Sequence, residues 1–264
     1  PGVMERLGLG VDSLAAANPR LIYCAISGYG QDGPMAQRPA YDHVVQAVSG
    51  MMITNGDDTG RPRRVGFPMI DYVAGLSAAF AISSALFQRE RSGQGQVIDV
   101  AMMDAAVAIM APMLAPFLQG ITPPPRQGDR AASGSPFSGM FETSDGLLAL
   151  AANAPHQGQA LAKEIGREDL FTDPRVKAWG QDADYVALVQ DALATAFATA
   201  PALAWEERLG SLGVPAGKVR GLAEIVDSNQ LASRGLIHTV TDPDMARDYR
   251  VPGVGFKMAH DGGA

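Results

Sequence analysis

One carboxylate in this chain stands where a carboxylate can react. In the run Val65-Gly66-Phe67-Pro68-Met69-Ile70-Asp71-Tyr72-Val73-Ala74-Gly75-Leu76, Asp71 lies between an apolar approach and the start of a long apolar segment. An acid at a helix N-terminus meets unsatisfied backbone N–H groups and the positive end of the dipole, which favour its ionised form. Apolar neighbours act in the other direction, desolvating the carboxylate and making it a better nucleophile if it stays charged. The same N–H groups are candidate donors to a tetrahedral oxyanion, an effect worth ~3–4 kcal/mol per donor in other enzymes. Asp is also among the commonest helix caps, so the position has an ordinary structural use as well. Asp71 is the leading candidate for a covalent nucleophile.

The elements that must hold it follow from periodicity. Val73, Leu76, Phe80, Ser84 and Phe87 recur at helical spacing, so a helix to about Arg91 is expected with that face buried. Gly93 and Gly95 stop it, and Gln96–Ala101 reads as a strand. Upstream, Val11–Ala17 reads as a helix, 20–27 as a strand, 28–40 as a loop, 41–51 as a helix and 55–60 as a turn. A further helix is expected over 103–118. This αβαβα order argues for an α/β layer on a largely parallel sheet. Residues 122–128 are Pro-rich and 131–138 small and polar, which reads as a linker. Beyond it, 139–143 and Leu147–Ala151 form an expected hairpin around Ser144-Asp145-Gly146, followed by helices at 157–165, 184–199 and 202–212. The expected organisation is a large α/β domain over 1–130, a smaller α+β domain over 131–232, and a segment 233–264 returning to the first domain.

Composition excludes several functions. The 264 residues are 47% hydrophobic, enough for a substantial core, and the formal net charge of −7 argues against a nucleic-acid partner. No apolar stretch reads as long enough to cross a bilayer, so no membrane partner is expected. A single cysteine, Cys24, excludes an internal disulfide framework and fits a cytoplasmic protein; within a strand it reads as a structural thiol. His43, His156, His238 and His260 show no metal-ligand spacing, and no metal site is expected. Gly28-Tyr29-Gly30-Gln31-Asp32-Gly33 matches the dinucleotide-binding pattern literally, but that mechanism needs the third glycine to open a helix. Pro34 and Pro39 follow instead. A loop whose glycines let backbone approach a ligand is the better reading. Trp179, Trp205 and the paired methionines Met51-Met52 and Met102-Met103 read as core. Ser133-Gly134-Ser135 reads as ordinary linker rather than a lid.

Several motifs, in order, resemble the family III CoA-transferases. They are Asn18-Pro19-Arg20-Leu21-Ile22-Tyr23, Ser27-Gly28-Tyr29-Gly30-Gln31-Asp32-Gly33-Pro34, Arg38-Pro39-Ala40-Tyr41-Asp42, the Asp71 block, and Gly93-Gln94-Gly95-Gln96 before Val97-Ile98-Asp99-Val100. The resemblance runs from residue 1 to about 260. It implies a two-domain fold with a Rossmann-like parallel-sheet large domain, an interlocked homodimer, and a coenzyme A thioester and a small carboxylic acid as substrates. It places Asp71 as nucleophile and puts Gly28, Tyr29, Gly30, Arg38, Tyr41 and Asp42 at the CoA site. Because family members are longer at both ends, the chain is also expected to lack the first strands of the sheet.

The implied chemistry is CoA transfer through an aspartyl mixed anhydride; the alternative within the resemblance is α-methylacyl-CoA racemisation. Racemases of this group use a His followed by Asp where this chain has Tyr41-Asp42. Tyr41 is a poor proton acceptor with an unperturbed pKa of about 10, and His43, two positions on, is expected to turn away. Transfer is therefore the preferred reading. Arg61, Arg63 and Arg64 read first as a solvated turn; with Arg38 they would also suit a small dicarboxylate.

Overall fold

A computed structural model describes residues 1–56, 60–121, 128–131, 133–245 and 247–260. The Pro-rich expectation at 122–127 lies outside the described residues. The chain divides into two compact units, Pro1–Asp129 and Arg130–Ala264, and the segment 233–264 groups with the second.

In the first unit, helix α1 (Val11–Ala17) leads into strand β1 (Ile22–Ser27), which pairs in parallel with β2 (Gln96–Ala101) from Ile22 opposite Gln96 to Ser27 opposite Ala101. Gly95 marks the junction: a Cβ there would lie 1.8 Å from the Leu21 carbonyl oxygen, so only glycine lets the two chains meet. Between the strands come α2 (Asp42–Val48) and α3 (Met69–Ser92). The helix expected over 41–51 ends early, because Gly50 adopts φ 83° and turns the chain into the short helix Met51–Thr54. Helices α4 (Met102–Ile109) and α5 (Ala111–Leu118) replace the single helix expected over 103–118. Pro112 has no N–H to continue the ladder, so the helix breaks at Met110.

Helix α3 contradicts the expected packing. Its buried positions are Ile70, Ala74, Ala78 and Ala85, and the small Ala74 and Ala78 let it lie close to β2 and α4 around Val100 and Ala105. Leu76, Phe80 and Phe87 are exposed, at 71%, 77% and 63% respectively. The helix is apolar nearly all round, so periodicity could not select its inner face. At 24 residues α3 is also long and apolar enough to cross a membrane by length and composition, which corrects the sequence expectation. Its polar residues do not interrupt it: Ser83 and Ser84 return their hydroxyls to the Ala79 and Phe80 carbonyls, four residues back.

In the second unit, β3 (Ser138–Glu142), β4 (Leu147–Ala151) and β5 (Ala216–Lys218) form an antiparallel sheet in that order. It packs with α6 (Pro155–Glu164), α7 (Ala183–Phe197) and α8 (Ala202–Ser211) around Phe137, Leu148, Leu161, Leu193 and Phe197. Trp205 and Trp179 join this core as expected, and Trp205 Nε1 donates to the Phe197 carbonyl at 3.1 Å. The linker expectation at 131–138 is corrected at its C-terminal end. Ser135 and Ser138 are fully buried, and the Ser135 hydroxyl donates to the Ala152 carbonyl while accepting from Phe137 N–H. The antiparallel pair β6 (Ile237–Asp242) and β7 (Arg247–Pro252) follows.

Candidate active site

Asp71 is the third residue of α3 and is exposed. The apolar shell expected to desolvate it is not supplied by its own unit, because the large apolar residues of α3 face outward. Helix starts leave N–H groups without intrahelical partners, and here each is accounted for. Pro68, at the cap position, has none. Met69 N–H donates to the Phe67 carbonyl at 2.8 Å. Ile70 N–H donates to Asp42 Oδ2 at 2.6 Å, and Asp71 N–H reaches the same oxygen at 3.4 Å. The helix start therefore has no free donor for an oxyanion, contrary to the sequence reading.

Asp42 is the residue whose role changes most. The CoA-site expectation placed it against a ligand, but it is 8% exposed and both its oxygens are occupied within the chain. While Oδ2 caps α3, Oδ1 accepts from Gln46 Nε2 at 2.6 Å. Gln46 is fully buried, four residues along the same face of α2, and its Oε1 accepts Val65 N–H at 2.9 Å. Nothing in the sequence singled out Gln46 except that i, i+4 spacing from Asp42.

The glycine loop is also held from within. A Cβ on Gly28 would lie 2.2 Å from Ala40 Cβ, so this glycine answers to its own chain. The Gly28 carbonyl accepts Met103 N–H at 3.0 Å. Gly30, with φ 91°, donates its N–H to Ser27 Oγ, and the next N–H, of Gln31, goes to Asp99 Oδ2 at 2.8 Å. Asp99 thus pins the loop to β2, a role the sequence did not disclose. No helix opens at Gly33; α2 begins only at Asp42, so the loop lacks the geometry of a dinucleotide site. Tyr29 packs at the edge of the core around Val45 and Ile70. It also borders a cleft of about 400 Å³ with Asp32, Met35, Met103 and Asp104.

Tyr41 is 75% exposed and stacks on His43, with ring centroids 6.4 Å apart. Arg38 is exposed, and among the described residues no hydrogen bond or ion pair engages its guanidinium. A second cleft, of about 580 Å³, opens at the N-terminal end of α3, lined by Asp42, His43, Met52, Arg64, Phe67 and Pro68. His43 therefore does not turn away as expected. The start of α2 presents it to the same space as Pro68 and Arg64. Arg64 donates to the Val65 carbonyl at 3.2 Å, leaving its charge at the cleft. Cys24 is half-buried; burial, with Asp99 adding to it, pushes its thiol pKa up and disfavours the thiolate.

This arrangement offers an exposed carboxylate in the first turn of a firmly capped helix, whose cap residue Pro68 lines a cleft carrying one arginine and one imidazole. The chain is 39% identical over 239 residues to acetyl-CoA:oxalate CoA-transferase from Acetobacter aceti, covering 90% of this chain and 61% of that protein. It is 31% identical over 253 residues to succinyl-CoA:glutarate CoA-transferase from Mus musculus, covering 96% of this chain and 58% of the relative. The chain thus spans about three-fifths of the length of these relatives. The crystal structure of Rv3272 from M. tuberculosis superposes with a TM-score of 0.84 at 32% identity, covering 98% of this chain and 69% of that one. A Brucella suis CAIB/BAIF family protein superposes at 0.81 with 28% identity, over 99% of this chain and 67% of the other. The family model for CoA-transferase family III matches residues 1–263, and the chain belongs to that family.

Proposed function

We propose that the protein transfers coenzyme A from an acyl-CoA thioester to a small carboxylic acid, with Asp71 as the covalent nucleophile. The Asp71 carboxylate attacks the thioester carbonyl, forming an acyl–aspartyl mixed anhydride and releasing CoA thiolate. The thiolate attacks the aspartyl carbonyl and frees the donor acid, leaving an aspartyl-CoA thioester. The acceptor carboxylate displaces the thiolate to form a second anhydride. Thiolate attack on its acyl carbonyl then yields the new thioester and regenerates Asp71. A carboxylate nucleophile divides one exchange into steps between species of similar energy. The observation that carries this reading is the exposed Asp71 carboxylate on a capped helix whose cap residue, Pro68, lines a cleft with Arg64 and His43.

A small dicarboxylate suits the cleft, since Arg64 can pair with the carboxylate left free when the other end reacts. Two of the relatives act on oxalate and glutarate by name. CoA contacts are assigned to the loop Gly28, Tyr29 and Gly30 and to the exposed Arg38 and Tyr41. We further place the protein in the cytoplasm, consistent with its single cysteine, and assign it an interlocked homodimer. The outward Leu76, Phe80 and Phe87 then meet protein, which also provides the low-dielectric cover that Asp71 lacks in one chain. Racemisation has one observation in its favour, the placement of His43 in the cleft.

One experiment separates the two chemistries. The full-length protein is incubated with a panel of acyl-CoAs in heavy water and quenched with hydroxylamine, and the Asp71 peptide and the recovered thioester are read by mass spectrometry. A hydroxamate on Asp71 with no deuterium at the α-carbon is expected. Deuterium uptake with Asp71 unmodified would replace transfer by proton exchange.

A further inference from the structure

The bonds around Asp42 run in one direction. Val65 N–H donates to Gln46 Oε1, Gln46 Nε2 donates to Asp42 Oδ1, and the N–H groups of Ile70 and Asp71 donate to Asp42 Oδ2. Every donor points toward Asp42, so the arrangement closes only if residue 42 accepts through both oxygens. Within the standard side chains of that length, only an ionised carboxylate does so. Asp42 and Gln46 are 8% and 0% exposed, so a mismatched bond here is not repaired by bulk water. The chain of bonds joins three segments: the approach at Val65, helix α2, and the first turn of α3 that carries Asp71. We propose that Asp42 and Gln46 are positioning residues for the Asp71 nucleophile, a role that rests on the reaction given above. They set the backbone of residues 70 and 71 relative to the cleft that Asp42, Pro68 and Arg64 line, and Asp42 acts through that backbone because both its oxygens are bonded within the chain.

The direction of the bonds supplies the test. In Asp42→Asn, an amide nitrogen faces the Gln46 nitrogen; turning the Gln46 amide over moves the same mismatch to Val65 N–H. In Gln46→Glu, two acceptors face each other where one bond of 2.6 Å stood. In the double variant Asp42→Asn/Gln46→Glu, the amide oxygen introduced at position 42 accepts from Ile70 N–H. The amide nitrogen beside it donates to the carboxylate introduced at position 46, which in turn accepts Val65 N–H. Each bond is restored, the one between positions 42 and 46 reversed in sense and those from Val65 and Ile70 unchanged, and the cluster keeps its single negative charge.

Full-length wild type, both single variants and the double variant are assayed for hydroxylamine-trapped Asp71, kcat, KM for the acyl-CoA, and melting temperature. Each single variant is expected to lower Asp71 acylation and kcat by roughly 10- to 100-fold, the scale of an ångström-sized misplacement, with KM changed less than threefold. The double variant is expected to return both rates to within about threefold of wild type, a residual of under ~0.7 kcal/mol by the tenfold-per-1.36 kcal/mol relation. A double variant as slow as Asp42→Asn would mean that Asp42 acts on the substrate, which overturns the proposal. So would recovery of the melting temperature without recovery of acylation. If Asp42→Asn does not fold, Gln46→Glu and the double variant carry the same comparison. An Asp71→Asn control keeps the two claims apart. Transfer persisting in that control refutes the nucleophile, whereas a refuted positioning role leaves Asp71 labelled and the swap without effect.

Discussion

Gly28 separates a packing role from a ligand role. Its α-hydrogen faces Ala40, and a Cβ there would approach Ala40 Cβ to 2.2 Å. Carbon atoms rest near 3.5 Å, so Gly28→Ala requires a separation of about 1.3 Å more than the backbone provides. Both residues are on backbone that cannot swing aside like a side-chain tip: the Gly28 carbonyl holds Met103 N–H, and Ala40 packs against the core around Val45 and Ile70. Overpacking of this kind costs ~1–3 kcal/mol. Gly28 has no positive φ, so alanine there also gains ~0.4–1 kcal/mol from a less flexible unfolded chain. The net expectation is a loss of about 1–2 kcal/mol, or a fall in melting temperature of roughly 3–8 °C for a unit of this size. The reciprocal double variant Gly28→Ala/Ala40→Gly moves the methyl across the contact and should recover most of that loss. Thermal unfolding followed by circular dichroism, with KM for the acyl-CoA alongside, reads both quantities. A double variant that stays as unstable as Gly28→Ala would refute the packing account, whereas one that regains stability but keeps a KM raised more than tenfold would show that the glycine serves CoA approach as well.

Two further outcomes follow from buried and exposed aromatics. Tyr185 is fully buried, donates its hydroxyl to the Leu170 carbonyl at 2.8 Å, and has its pKa pushed up to about 12, chiefly by burial. A raised folded pKa leaves its stabilisation intact below the unfolded value of about 10 and removes it as pH climbs to about 12, by on the order of 2–3 kcal/mol. Tyr185→Phe should therefore flatten the alkaline limb of a urea-melt series while costing about 1–3 kcal/mol at pH 7 from the orphaned carbonyl. An unchanged alkaline limb would show that another group governs it. On α3, Phe80→Asp alters a side chain that is 77% exposed, so it should change stability of the unit by under ~0.5 kcal/mol while reducing self-association in sedimentation velocity. Persistence of the dimer at micromolar concentration would remove the α3 face from that interface.

Local features were legible in the residues alone. The extent of α1, the strand before Gly28, the strand after Gly95 and the hairpin around Asp145 follow from periodicity and turn chemistry, which depend on near neighbours. Asp71 stands out because an acid opening an apolar helix is chemically conspicuous, and the ordered motifs carried the family. What the sequence left open depended on which distant segments meet. The inner face of α3 is set by alanines because β2 and α4 come close there, a fact that an all-round apolar helix does not record. Gly28 resembles a ligand-approach glycine until Ala40 is placed beside it. His43 enters the cleft because the start of α2 presents it there, which counting positions along an isolated helix did not anticipate. Asp42 shows the division most sharply: in the sequence it stands only at the start of an expected helix and within a motif assigned to CoA. Only the tertiary fold brings the N-terminus of α3, 28 positions away, onto its second oxygen, because that helix start opens with a proline and two N–H groups in need of an acceptor.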